Sequence, residues 1–315
     1  MNRLAAGFVF CLAFGLLAGG CAPAKFKEPL ANYQQSVAKS TAVLEAYYRN
    51  LNQHARDAYL NERLNDPTLS VVEKVGEGKD EQYTPLVHAV FSPAGIQARL
   101  DALNALGLLA QRLSDLAGSD APARTAAGIN ALGANMDRLV ATINAAAPSD
   151  PTVGKYAGPV SLIAQLAQKG LELARDKDVA DFIIKSEPSV TSILNFLESD
   201  LAGLGKAYVD RCDTELTQVV MVYEEVRRTK MSRTTRQKYL DEINLAAQRL
   251  VSARLNRPEL VIGSVRKSFD ALVAYAKDYK NIKTWAQMVE TITTQAAFIE
   301  QFSAQIAALK AAPTK

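Results

Sequence analysis

Side chains able to catalyse or to bind metals are scarce in this 315-residue sequence, which holds two histidines and three cysteines. His54 and His88 fall in different segments. They lack the His-Glu-x-x-His spacing that would set two imidazoles on one helical face for zinc. His54 sits at the edge of an apolar stripe, so it reads as a core or boundary histidine and not as a ligand. Glu224 and Glu225 are adjacent carboxylates, but neighbouring residues on a helix point in different directions and do not share a site. No Gly-x-Ser-x-Gly, P-loop or Gly-x-Gly-x-x-Gly occurs, and Gly203-Leu204-Gly205 lies within a helical pattern that no strand precedes. The sequence therefore assigns no catalytic residue, no metal ligand and no dissociable cofactor, and the expectation is a protein that is not an enzyme.

One cluster of charge stands out. Arg227, Arg228, Lys230, Arg233, Arg236 and Lys238 gather around one predicted interhelical turn near Lys230 to Thr234. Such a group can grip an anionic polymer, a lipid head group or the acidic face of a protein. The plainer explanation is a polar hairpin tip with arginines at a helix C-terminus, where the helix dipole favours them. The formal net charge of +3 includes Arg3, so the rest of the chain is close to neutral and gives no reason to expect nucleic acid as a partner.

The elements that must position these residues are helices. Val37, Leu44, Tyr48, Leu51 and Ala55 recur at helical spacing from about Ala31 to Leu64, and Asp66-Pro67 ends that run. Residues 65–91 are irregular, with Gly76 to Asp80 between two short apolar runs, and read as a small hairpin or a packed loop. Ser92-Pro93 starts the next helix, which Gly118 ends; Asp120 and Pro122 open another, reaching Pro148. Pro148, Pro151, Gly154, Gly158 and Pro159 make the clearest break in the chain. A shorter helix follows from Val160, then a segment at Val179 to Lys185. Ser186-Glu187-Pro188 repeats the capping pattern of Ser92, and no proline then interrupts until past Arg228. One further helix spans about Thr235 to Asn256. From Arg257-Pro258-Glu259 onward, apolar residues advance in alternating steps of three and four through Val261, Val265, Ser268, Leu272, Tyr275, Tyr279, Ile282, Ala286 and Val289 to Leu309, with a break expected at Asn281. That period is the signature of coiled-coil-like packing.

The first 21 residues have a different character. Arg3 precedes an apolar run from Leu4 to Leu17, and Ala18-Gly19-Gly20 leads into Cys21. This resembles the bacterial lipobox, with Ala18 where leucine is usual three positions before the cysteine and Leu17 one step earlier. The resemblance implies cleavage before Cys21, a covalent lipid on that thiol and a membrane partner through the anchor. Ala22 stands where an aspartate would retain the protein at the inner membrane, which implies the outer membrane, facing the periplasm. The competing reading of Leu4 to Ala24 is an uncleaved span of about twenty apolar residues. With Cys11 in the signal and Cys21 lipidated, Cys212 is alone in the body and no internal disulfide forms; its place on the stripe Leu197, Leu201, Leu204, Tyr208, Cys212, Leu216 reads as a buried small residue.

The fold expected is all-α, an elongated antiparallel bundle with several very long helices and coiled-coil-like packing. Its divisions are a signal at 1–20, a lipidated tether at 21–30, an N-terminal helical bundle at 31–150 containing the irregular loop 65–91, and a C-terminal long-helix bundle at 151–315. The function expected is a non-enzymatic cell-envelope lipoprotein acting as a helical scaffold or binding module, with an envelope protein or an anionic polymer as partner. A second reading is a membrane-acting helical protein similar in architecture to long-helix pore-forming toxins. If successive helices alternate in direction, the basic turn near Lys230 lies at the end remote from the lipid.

Overall fold

The computed structural model describes residues 24–65, 68–75, 82–85, 91–117, 134–135, 137–148, 151–169 and 176–311. Its order is α1 (Ala24–Asn65), β1 (Val72–Val75), β2 (Gln82–Pro85), α2 (Pro93–Ala117), α3 (137–146), a single helical turn α4 (Pro151–Gly154), α5 (Ala157–Lys169), α6 (Asp176–Val226), α7 (Arg233–Leu255), α8 (Glu259–Lys277) and α9 (Ile282–Ala311). The fold is an all-α bundle, with β1 and β2 forming only a short antiparallel hairpin in which Val72 pairs with Pro85. At about 1.5 Å per residue, α1 is roughly 63 Å long and α6 roughly 77 Å. None of the described helices is long and apolar enough to cross a membrane.

Three pairs of contacts fix the direction of the helices. Phe26 meets Tyr275 with ring centroids 4.9 Å apart and Tyr33 meets Phe269 at 5.9 Å, so α1 and α8 run antiparallel. Lys39 pairs with Glu300, and Trp285 donates to the Lys25 carbonyl, so α1 and α9 run parallel. Gly205 lies opposite the Tyr47 hydroxyl, and Arg211 donates to the Ala55 carbonyl at 3.5 Å, so α6 runs parallel to α1. The remaining packing of α1 is against α2, and α6 also carries α5 and α2 on its N-terminal half.

The first helix begins earlier than its sequence suggests. α1 starts at Ala24 and contains Pro29, within the stretch expected to be a tether, and Phe26 and Leu30 are fully buried. A proline inside a helix leaves the carbonyl four residues earlier without its N–H partner. Here that carbonyl belongs to Lys25, and the Trp285 indole Nε1–H donates to it at 3.3 Å. Tertiary packing thus supplies what the local sequence removes. Ser114 similarly donates to the Lys27 carbonyl at 2.9 Å, tying α2 to the same turn.

Pro188 behaves in the same way. The expected helix start at Ser186 is absent, because α6 runs without interruption from Asp176 to Val226. Ser186 is buried and donates to the Ile183 carbonyl at 2.8 Å instead of capping. An internal proline costs about 3 kcal/mol. Ile183, Val190, Ile193 and Leu194, all buried around it, offset that cost, since each fully buried apolar side chain contributes about 1.5–3 kcal/mol. By contrast, the start at Ser92 is as expected: its hydroxyl accepts from the Gly95 amide at 3.0 Å. The break at Asn281 is also present, as a turn between α8 and α9.

One contiguous apolar core runs from Phe26 and Tyr48 through Leu103, Ile143, Ile163 and Leu197 to Val265, Ile292 and Phe302. It does not divide at residues 148–159. Val153 and Tyr156, inside that proline-rich and glycine-rich break, are themselves fully buried. In the loop 65–91, Tyr59 and Arg63 both donate to the Ser70 carbonyl, and the Asn52 side chain exchanges two hydrogen bonds of 3.0 Å with the backbone of Phe91. Residues 76–81 and 86–90, which include His88, lie outside the described residues, as do Cys21 and the expected helix start at Asp120.

Candidate functional site

The contiguous core ends on α6 at Leu201 and the half-buried Leu204 and Tyr208 beside it. Beyond Gly205, α6 continues for another 21 residues to Val226 with α7 folded back against it, and the pair forms an arm. Its own core is small: Cys212, Leu250 and Ala253, with Tyr208, Val209 and Leu216 half-buried around them. Two ion pairs staple the helices together, Arg249 to Glu215 at 2.7 Å and Arg254 to Asp213 at 3.1 Å. Apolar side chains remain in solvent along it, with Met221 66% and Leu255 67% exposed.

The sequence builds the tip of this arm with two local devices. Arg227 N–H closes the last α-turn on the Tyr223 carbonyl, and the Thr229 amide and hydroxyl both donate to the Val226 carbonyl. Ser232 then caps α7, its hydroxyl accepting from the Thr235 amide at 3.0 Å. Tyr223 and Tyr239 face each other with centroids 6.3 Å apart, closing the hairpin just behind the turn. This fixed turn carries all six basic residues singled out from the sequence. Arg227, Arg228, Lys230, Arg233, Arg236 and Lys238 are all exposed, and among the described residues only Arg227 has an ion pair, with Glu224 at 2.5 Å.

The dipole explanation covers part of this cluster only. Arg227 and Arg228 follow the C-terminus of α6, where partial negative charge favours a cation. Arg233 and Arg236 lie in the first turn of α7, which contains no acidic residue. There the dipole opposes a cation by a few tenths of a kcal/mol to about 1 kcal/mol. The fold does not require positive charge at these two positions.

The arm's direction follows from the helix contacts. The first turn of α1 and the basic turn lie at opposite ends, because Gly205 is level with Tyr47 and α6 leads onward, away from Ala24. Adding 23 residues of α1 to 21 of α6 places the tip roughly 70 Å from Ala24.

No known protein family, curated protein or solved structure matches this chain. The remaining chemistry-bearing groups must therefore be judged by their geometry. His54 stacks near Tyr208 at the root of the arm, with centroids 5.5 Å apart. Burial first, and then the Arg249 guanidinium, lower its pKa below the ordinary histidine value, which disfavours its charged form. Cys212 is buried, and burial pushes its thiol up, which disfavours the thiolate needed for reactivity. Among the described residues, no three of His, Cys, Asp and Glu cluster in a way that could hold a metal ion. A shallow cavity of ≈ 370 Å³ between α8 and α9 is lined by Ala271, Ala274, Thr284, Met288 and Glu290, with no convergent acid–base pair.

Sequence reasoning passed over one polar feature. Arg99 of α2 and Asp200 of α6, 3% and 9% exposed, form a bidentate pair with contacts of 2.6 and 3.4 Å. The guanidinium also donates to the Gly95 carbonyl and lies 4.9 Å from the centre of the Phe91 ring. Asp200 is three residues after Leu197 on the apolar stripe, a position where a carboxylate signals a buried partner. The partner, 101 residues away, has no local signature.

Proposed function

We propose that this chain is a non-enzymatic, lipid-anchored protein of the cell envelope, a helical scaffold that holds the α6–α7 hairpin as a binding module for an anionic envelope component. The observation that carries this reading is the basic tip. Six exposed cations sit on a capped turn, two of them where the helix dipole opposes them. The longest helix of the fold is spent on projecting that turn beyond the core. An anchor at Cys21, three residues before α1, would leave the tip at the remote end and available to a partner.

Charge reversal tests the module. Arg228→Glu combined with Arg233→Glu lies in exposed positions and should leave folding intact while abolishing capture of the anionic partner from crosslinked envelopes. Unchanged capture would count against the reading. The anchor is tested separately by the mass of the mature protein: an acylated chain beginning at Cys21 is expected, and a chain retaining Met1 would contradict it. The pore-forming alternative gains no specific observation, since none of the described helices is apolar and long enough for a bilayer.

A further inference from the structure

We infer that the tip of the α6–α7 arm docks end-on against a bilayer surface rich in anionic head groups, facing the bilayer that carries Cys21. This rests on the lipid-anchor reading for the second membrane, while the docking of the tip stands on its own geometry.

The arrangement of the cations selects this partner over a compact anion. A small anion or a single carboxylate is held by donors that converge on one point. Arg227 and Arg228 lie in the turn just past α6, whereas on α7 Arg233 and Arg236, three residues apart, share one face and Lys238, two residues or about 200° further on, lies on the opposite one. Lys230 occupies the turn between them. The six therefore surround the end of the hairpin. A plane of negative charge approached along the hairpin axis meets all of them together, whereas a partner on one flank meets only some.

The surrounding sequence sets the depth of contact. Between Val226 and Leu240 there is no carboxylate, but Glu224 and Glu225 stand about one turn behind the tip and Asp241 and Glu242 about two turns behind it. These acids oppose burial of the neighbouring Val222 and Leu240 in an anionic interface, so the contact is peripheral and electrostatic. It must then weaken as the Debye length shrinks from ~10 Å at 0.1 M salt to ~3 Å at 1 M. With Cys21 in one bilayer and the tip on another, the protein would bridge surfaces roughly 70 Å apart, as set by the rise of α1 and α6.

The test reconstitutes the full acylated protein into phosphatidylcholine vesicles and adds a second population rich in phosphatidylglycerol, following clustering by light scattering. The expected result is clustering that high salt reverses, that is absent when the second population is pure phosphatidylcholine, and that falls by about 100-fold in apparent affinity for the triple variant Arg228→Glu, Arg233→Glu, Arg236→Glu, given roughly fivefold for each of the three basic residues near such a surface. Circular dichroism of the variant establishes that it is folded; the single variant Arg236→Glu, with a smaller loss of the same kind, serves if the triple variant is not. Failure of the anchor shows as protein absent from the first vesicles, and direct sedimentation with phosphatidylglycerol vesicles then reads the tip alone. Equal binding to neutral vesicles, indifference to charge reversal, or binding to soluble polyphosphate without binding to vesicles would overturn the inference. Binding without clustering would overturn its end-on geometry.

Discussion

Arg99 and Asp200 show how a single pair can fix the relation of two distant helices. Both are almost completely removed from water and each satisfies the other. Removing one partner leaves a buried charge uncompensated, so Asp200→Ala is expected to destabilise the protein by about 3–5 kcal/mol, whereas replacing both residues by apolar ones of similar volume costs far less. Urea denaturation of the single and double variants checks this. The Tyr48 hydroxyl is buried nearby with no hydrogen-bond partner among the described residues, and burial followed by the Asp200 carboxylate raises its pKa well above the usual phenol value. Tyr48→Phe removes an unsatisfied polar group and keeps the ring, so stability is expected to stay level or to rise by up to about 1–3 kcal/mol. A fall of the same size would mean that the hydroxyl has a partner. His54 gives a pH dependence. Its folded pKa is lowered from 6.5, so below that value the unfolded chain binds the proton more readily, and stability falls as pH drops from 6.5 toward the folded pKa. Denaturation midpoints measured across that window should slope less in His54→Gln than in the parent protein.

At the scale of elements, the helices were legible wherever periodicity and local punctuation agreed. The Ser92 cap, the Asn281 break and the stripe through Leu197, Leu201 and Cys212 all stand in the structure. They were misread where a tertiary contact overrode a local rule. Pro29 and Pro188 look like boundaries because the cost of an internal proline is visible in sequence, while the Trp285 indole and the buried residues around Pro188 that offset it are remote. Likewise the stripe carried through the break predicted Ile282 and Ala286 as buried. Ile282 is 78% exposed and Ala286 is exposed, because just after the turn at Asp278 to Asn281 Trp285 and Met288 pack inward in their place, while Ile292, Ile299 and Phe302 of the same stripe are buried as expected. The six basic residues of the tip were readable as a cluster, but their separation from the core was not, since it depends on where α8 and α1 stop covering α6. Two element-level outcomes follow. Trp285→Phe strips the Lys25 carbonyl of its donor and should cost about 1 kcal/mol, read as a shift in midpoint. Amide exchange should be slow over 179–201 of α6 and faster from Asp213 to Val226, because past the Arg211 contact with Ala55 the described packing of α6 is against α7. Uniform protection along α6 would mean that the arm is covered.

The whole molecule is organised by the length of α6. Its N-terminal half belongs to the core shared with α2, α5 and α8, and its C-terminal half carries the basic turn roughly 70 Å from the start of α1. The body gives the arm a fixed root through the Gly205–Tyr47 approach and the Arg211 bond to Ala55. In this account, what the protein binds is decided at the tip, and the rest of the chain determines where the tip is held. Site-specific photocrosslinking in cells tests that claim most directly. A crosslinker at the exposed tip position Arg236 should give adducts that disappear with Arg228→Glu and Arg233→Glu, while one at Leu162, 51% exposed on α5, should give none. Adducts arising equally from Leu162, or surviving the charge reversal, would contradict the account.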